Sequence, residues 1–130
     1  MSQIEMVCLE DLIPKSHSYR LFREYLPESL MSKHLKGIEQ LQGANGYGIE
    51  RLFLCLLLQF MEDLSDRELE RFLRENTAGK WFCGFTLSDK TPDYSLFTHV
   101  RTRIGSKRLS ILFSSMRKQL KDAGLMSEVF

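Results

Sequence analysis

The sequence is poor in cysteine, in proline and in long apolar runs. Its three cysteines, Cys8, Cys55 and Cys83, are an odd number without CxxC spacing, so they predict no disulfide framework. The most apolar stretch, residues 52–61, is about half as long as a membrane span. The N-terminus carries acidic residues where a secretory signal has basic ones. These absences favour a reduced, cytoplasmic protein without a membrane anchor.

No set of residues with a recognisable catalytic arrangement is present. The acidic residues within 63–70 would be spread around a solvated helix by its 3.6-residue period. His17, His34 and His99 lack the spacing of zinc ligands, and no glycine-rich phosphate-binding motif occurs. We therefore expect no metal, no cofactor, no small-molecule substrate and no active site. A cysteine–histidine nucleophile pair is left open, although nothing in the sequence indicates one.

Acidic residues are also missing from residues 94–121, which hold seven of the 18 basic residues and none of the 17 acidic ones. The basic residues are Arg101, Arg103, Lys107, Arg108, Arg117, Lys118 and Lys121. The rest of the chain is therefore net acidic. Such asymmetry indicates nucleic-acid binding. A solvated helix face is the alternative, and charge alone does not decide between the two.

Hydrophobic periodicity predicts an all-α fold of five to six short helices in a compact bundle. With 130 residues, the chain is expected to form one domain over 1–130. A helical pair would occupy 1–40, a glycine-rich loop 40–48 and the core helices 49–125. The first core helix, over residues 49–63, is apolar enough to be buried on nearly all sides.

Capping signals predict the boundaries of the later helices. Ser65 and Glu68 have the spacing of a capping box, which would start a helix ending near residue 76. Asp93 is a predicted N-cap, and Gly105 a predicted end, of the next helix. The last helix would then run to Gly124 and close with a Schellman motif.

Helices 65–75 and 93–104 are predicted to form a helix-turn-helix-like pair, although residues 76–92 are a much longer connection than the standard motif has. The second helix would bury Leu96, Phe97, Val100 and Ile104. In a major groove, small hydroxyls allow close approach, while arginine bonds guanine edges or phosphates. The predicted DNA-contacting residues are Ser95, Thr98, His99, Arg101, Thr102, Arg103, Lys107 and Arg108, with the four cations making most of the contact.

The alternative for this face is that Arg101 and Arg103 pair with the acidic helix over residues 63–75, as ordinary surface charges do. In that case the same helices would form a protein–protein interaction or dimerisation module with little DNA affinity of its own.

Five stretches, in this order, carry a resemblance to a known family. They are LLLQF (56–60), LSDRELE (64–70), WFCGF (81–85), PDYSLFTHVRTRIG (92–105) and DAGL (122–125). An earlier stretch, IPKSHSYR (13–20), is also similar to the start of the same family's domain. With it, the match extends over nearly the whole chain, which resembles the N-terminal, InsH-type domain of bacterial insertion-sequence transposases of the DDE class.

This resemblance implies a domain for DNA recognition and multimerisation that binds the terminal inverted repeats of its element. It implies double-stranded DNA and a second copy of the chain as partners. In the family, an RNase H-like domain follows, whose three carboxylates hold Mg²⁺ for two-metal strand cleavage. We expect that catalytic domain to lie outside this chain, so the chain itself is not predicted to be an enzyme.

Overall fold

Eight α-helices and no strands occur in the residues that the computed structural model describes, 6–26, 28–35 and 46–125. They are α1 (Leu9–Leu12), α2 (Ser18–Glu24), α3 (Glu28–Leu35), α4 (Ile49–Glu62), α5 (Asp66–Glu75), α6 (Thr77–Cys83), α7 (Tyr94–Ile104) and α8 (Ser106–Asp122). The predicted all-α class is confirmed. The count exceeds five to six because short helices such as α1 and α6 add to it. Within these ranges, no helix has both the length and the apolar character needed to cross a membrane.

Part of the predicted N-terminal organisation lies outside the described residues. This applies to the loop over residues 40–48, apart from residues 46–48, and to residues 1–5, 27 and 36–40 of the predicted helical pair. The assignment of residues 1–130 to one domain stays a prediction.

Helix α4 is the centre of the hydrophobic core. Every residue from 52 to 58 is buried, and α3, α5, α6 and α7 all pack against this helix. Phe53 of α4, Phe82 of α6 and Phe97 of α7 are completely buried in the same core. The run of leucines thus forms a helix covered on nearly all sides, as the sequence predicts.

The link between α4 and α5 follows the predicted capping chemistry. Asp63 ends α4 with a positive φ of 53°, a conformation that aspartate tolerates better than most residues. Two residues later, the Glu68 amide donates to the Ser65 hydroxyl at 3.1 Å, and the Ser65 amide donates to Glu68 Oε1 at 2.9 Å. The predicted capping box is therefore confirmed, and it fixes where α5 begins.

The boundaries of α7 and α8 also agree with the sequence. Asp93 Oδ1 accepts a hydrogen bond from the Ser95 amide at 2.9 Å, which caps α7. Gly105 has a φ of 91°, which a residue with a side chain rarely adopts. The chain thus turns sharply there into α8. At the far end, the Leu125 amide donates to the Leu120 carbonyl at 2.9 Å, as in a Schellman motif.

Candidate nucleic-acid interface

Helices α5 and α7 pack against each other, although residues 76–93, which include α6, separate them along the chain. Their apolar sides enter one core: Leu69 and Leu73 of α5 and Val100 of α7 are completely buried. The predicted pairing of these two helices is therefore observed. The tight turn of the standard motif is replaced by a helix and a loop.

A network of charged hydrogen bonds joins α4, α5 and α7 at the surface above this core. Arg101 Nη1 donates to Asp66 Oδ1 at 2.8 Å, and Nη2 donates to Oδ2 at 2.7 Å. Gln59 of α4 accepts from Nη1 at 2.9 Å, and the Thr98 hydroxyl donates to Asp66 Oδ2 at 2.9 Å. A bidentate pair of this kind fixes both the distance and the orientation of its partners.

These contacts also shift the ionisation of the pair. The hydrogen bonds from Arg101, joined by those from Gln59 and Thr98, lower the pKa of Asp66 from 3.8 to about 2. The bond to Asp66 in turn raises the pKa of Arg101. Both groups are therefore charged over the whole physiological pH range.

A second set of contacts holds the N-terminal end of α7. The Tyr94 amide donates to Glu70 Oε1 at 2.9 Å, while Glu70 Oε2 pairs with Arg74 at 2.7 Å. The guanidinium of Arg67 lies 4.2 Å from the centre of the Tyr94 ring, a cation–π contact. Helix α7 is thus tied to α5 near both of its ends.

The hydroxyl groups predicted to face DNA already make hydrogen bonds within the chain. Thr98 donates to Asp66, and Thr102 donates to the Thr98 carbonyl at 3.0 Å. The Ser95 hydroxyl donates to Asp93 Oδ1. All three side chains are exposed. Because a hydroxyl oxygen has two lone pairs, each can still accept a hydrogen bond from a partner.

The basic residues of the predicted site fall into two groups. Arg101 is half-buried and paired with Asp66. For this residue, the alternative that it pairs with the acidic helix over residues 63–75 is therefore observed. By contrast, the side chains of Arg103, Lys107 and Arg108 are exposed and form no hydrogen bond or ion pair with the rest of the described chain. The exposed His99 belongs to this second group.

Lys107 and Arg108 occupy an electrostatically unusual position. Both lie in the first turn of α8, whose N-cap is Gly105 and whose first turn holds no acidic residue. A helix N-terminus carries partial positive charge and is stabilised by anions, so two cations there oppose helix formation. The arrangement favours an external anion such as phosphate, which both the cations and the free amides of the first turn attract.

Sequence reasoning missed Asp66 and Gln59 as parts of this site. Asp66 follows the capping serine, Ser65, and an acidic residue in the first turn of a helix is already explained by the helix dipole. Gln59 is a single polar residue in an otherwise apolar helix. Among the residues with described positions, no group of three or more histidine, cysteine, aspartate or glutamate side chains is arranged to hold a metal ion.

Comparison with known proteins defines the class to which this helical domain belongs. The transposase domain family (DUF772) matches residues 7–103, which is most of the chain. The chain belongs to this family, which confirms the resemblance to a transposase domain that the sequence motifs carry. The match ends within α7, so the positions of Lys107 and Arg108 lie beyond it. No curated protein and no solved structure matches the chain.

Proposed function

We propose that this chain is the DNA-binding part of an insertion-sequence transposase and that it binds the terminal inverted repeats of its element. The observation that carries the proposal is a set of exposed cations where α7 meets α8, Arg103, Lys107 and Arg108, whose side chains have no partner among the described residues. Membership of the transposase domain family supports DNA as the partner. In this proposal the chain binds DNA and does not cut it.

The proposed roles differ among the predicted contact residues. Arg103, Lys107 and Arg108 bind phosphates or base edges directly, since nothing in the described chain occupies them. Ser95, His99 and Thr102, on the exposed side of α7, line the groove. Arg101 and Thr98 hold the helix through Asp66 and contact DNA only with the atoms that this network leaves free.

Fluorescence anisotropy tests the proposal by comparing duplex from the element's ends with scrambled duplex over a range of salt concentrations. If four to six phosphates are contacted, log K falls with log salt at a slope of about −4 to −5. A preference for the element's ends together with that slope supports the proposal. Equal affinity for both duplexes would contradict recognition of the inverted repeats. No binding at low salt would contradict DNA binding as a whole.

Single substitutions then locate the contact. Lys107→Ala and Arg108→Ala each remove one phosphate partner, so each reduces the salt slope by about one. Lys33→Ala is the matched control, because Lys33 is an exposed cation on α3 and not part of the turn between α7 and α8. An equal loss in the control would show that total charge, and not this turn, determines the affinity.

An interaction module is the second candidate function, and one apolar groove favours it. The groove lies between α4 and α8 and has a volume of about 610 Å³. Phe60 is 40% exposed there and stacks on Phe113 with ring centres 5.0 Å apart. A twofold axis would place the exposed Phe60 ring of each copy against the same groove of the other copy. We propose a second copy of the chain as the occupant.

The mass in solution tests this second candidate. Light scattering is expected to give a dimer for the chain and a monomer for Phe60→Ser. Ile111→Ser is the control, because Ile111 is an equally exposed apolar residue of α8 that does not line the groove. A monomeric unsubstituted chain, or a dimer unaffected by Phe60→Ser, would reject the groove as the interface.

A further inference from the structure

A second basic surface lies on α2 and α6, built without any residue of α7 or α8. It is an open pocket of about 440 Å³, lined by Lys15, Arg20, Arg23, Glu24 and Trp81. Its lining has three cations, one carboxylate and one indole. The volume is within the range of about 300–1,000 Å³ that is usual for ligand pockets.

The floor of this pocket is fixed by residues distant in sequence. The guanidinium of Arg20 lies 4.7 Å from the centre of the Trp81 ring. Glu10 of α1 joins the two, because its carboxylate pairs with Arg20 and accepts from Trp81 Nε1 at 2.7 Å. Arg20 Nη2 also donates to the Ile13 carbonyl at 2.8 Å. The indole is therefore held in place before any ligand arrives.

The charge of Arg20 on the pocket floor is balanced by Glu10, whereas the rim, formed by Lys15, Arg23 and Glu24, has two positive charges and one negative charge. The bond from Arg20 is the main reason that the pKa of Glu10 is lowered, so these two charges neutralise each other. The side chains of Lys15 and Arg23 on the rim form no hydrogen bond or ion pair with any described residue, although the charge of Lys15 also contributes to lowering the pKa of Glu10. Glu24 is the only acid among the residues that line the pocket. The rim thus presents net positive charge directly beside an aromatic ring.

We infer that this pocket binds one nucleotide of a single-stranded DNA segment, with its phosphate between Lys15 and Arg23 and its sugar or base against Trp81. Single-strand sites combine cations that follow the backbone with aromatic rings that contact the bases. A purely apolar ligand would leave the two cations without an anionic partner, and an inorganic anion would make no contact with the part of the indole that lines the pocket. The inference does not depend on the duplex surface proposed for α7 and α8.

Trp81 is the only tryptophan of the chain, so its intrinsic fluorescence reports on this pocket alone. Titration of the whole chain with oligothymidylate is expected to quench that fluorescence, with a midpoint that rises as salt is added. Inorganic phosphate and non-specific duplex DNA, tested in parallel, should need much higher concentrations. Equal potency of inorganic phosphate would overturn the assignment to a nucleotide, and equal potency of duplex would overturn the assignment to a single strand.

Substitution of the rim separates this site from the duplex surface. Lys15→Ala and Arg23→Ala are each expected to weaken oligothymidylate binding by about fivefold, the upper end for one exposed ion pair. Lys33→Ala, which removes an exposed cation elsewhere, and the double variant Lys107→Ala/Arg108→Ala should quench like the unsubstituted chain. No quenching at low salt, or an equal loss in all four proteins, would overturn the inference, whatever the outcome for duplex binding.

Discussion

Arg101 of α7 and Asp66 of α5 share two hydrogen bonds, of 2.8 and 2.7 Å, across 35 positions of the chain. The bonds hold the proposed recognition helix at a fixed angle to its neighbour. They also divide the basic residues of α7, because Arg101 faces the protein while Arg103 faces solvent.

Neutralising Asp66 should destabilise the fold. We expect Asp66→Asn to lower the free energy of unfolding by about 1–2 kcal/mol, because Arg101 then loses its charged partner in a half-buried position. Urea denaturation measures the loss. Glu75→Gln is the control, since Glu75 is exposed on the same helix and its change should cost less than about 0.5 kcal/mol.

The same pair makes stability depend on pH in the acid range. The pKa of Asp66 is about 2 in the folded chain against an ordinary 3.8. A lowered carboxyl pKa contributes stability that is complete above the unfolded value and disappears as pH falls towards the folded value. The difference in unfolding free energy between the chain and Asp66→Asn should therefore be constant above about pH 5 and shrink towards pH 2. A difference that persists unchanged at pH 2 would contradict the ionic origin of the effect.

Two neighbouring arginines of α7 should give opposite patterns. Arg103→Ala is expected to weaken duplex binding and leave the unfolding free energy within about 0.5 kcal/mol of the unsubstituted value, as is usual for exposed positions. Arg101→Ala should lower stability by about 1–2 kcal/mol through the loss of its bonds to Asp66. Paired measurements of anisotropy and urea denaturation test this division. Arg103→Ala with full duplex affinity would show that α7 does not contact DNA through this residue.

Gly79 of α6 lies against the Phe72 ring of α5. A Cβ at this position would lie 2.7 Å from Cε2 of Phe72, which is closer than non-bonded carbons come. Gly79→Ala would gain helix propensity but must displace the Phe72 ring, so we expect a net loss of about 1–2 kcal/mol. Thermal unfolding measures it, and Gly79→Ala combined with Phe72→Leu should recover part of the loss.

Asp63 offers a stabilising change. Its φ of 53° suits glycine, and its carboxylate lies at the C-terminal end of α4, where the helix dipole disfavours negative charge. We expect Asp63→Gly to raise the unfolding free energy by about 0.5–1 kcal/mol. Asp122→Asn is the comparison. It removes a negative charge at the end of α8 without changing a positive φ, so we expect a smaller gain in unfolding free energy, from the helix dipole alone. A loss of stability in Asp63→Gly would mean that the side chain makes a contact that outweighs both effects.

Helix existence and most helix ends could be predicted from the sequence, because they depend on local chemistry. Ser65 and Glu68 lie three residues apart, and Gly105 needs only its own φ to end a helix. Helix α1 escaped prediction because it has four residues and its N-cap residue, Cys8, accepts no capping hydrogen bond from the first turn. A helix of one turn is stabilised by its packing on the core, and it is too short to show a hydrophobic periodicity in the sequence.

The candidate site was harder to predict, because its contacts join residues that are far apart in the chain. Charge patterning pointed to the exposed cations at the α7–α8 turn. Nothing local distinguished Arg101 from Arg103, whose roles differ only once Asp66 is brought alongside α7. The link from Glu10 to Trp81, 71 positions apart, was equally invisible, since each residue looks ordinary among its own neighbours.

The anchoring of α7 to α5 near both ends also bears on the thermodynamics of association. A helix that is ordered before it meets a partner loses little conformational entropy on docking. Regions that fold during binding bury extra surface and therefore show a large negative heat-capacity change. With α7 already held by Asp66 and Glu70, little such folding is left for the encounter. In the proposed complex, α7 would therefore keep its conformation, and any change of shape on binding would occur mainly in the DNA.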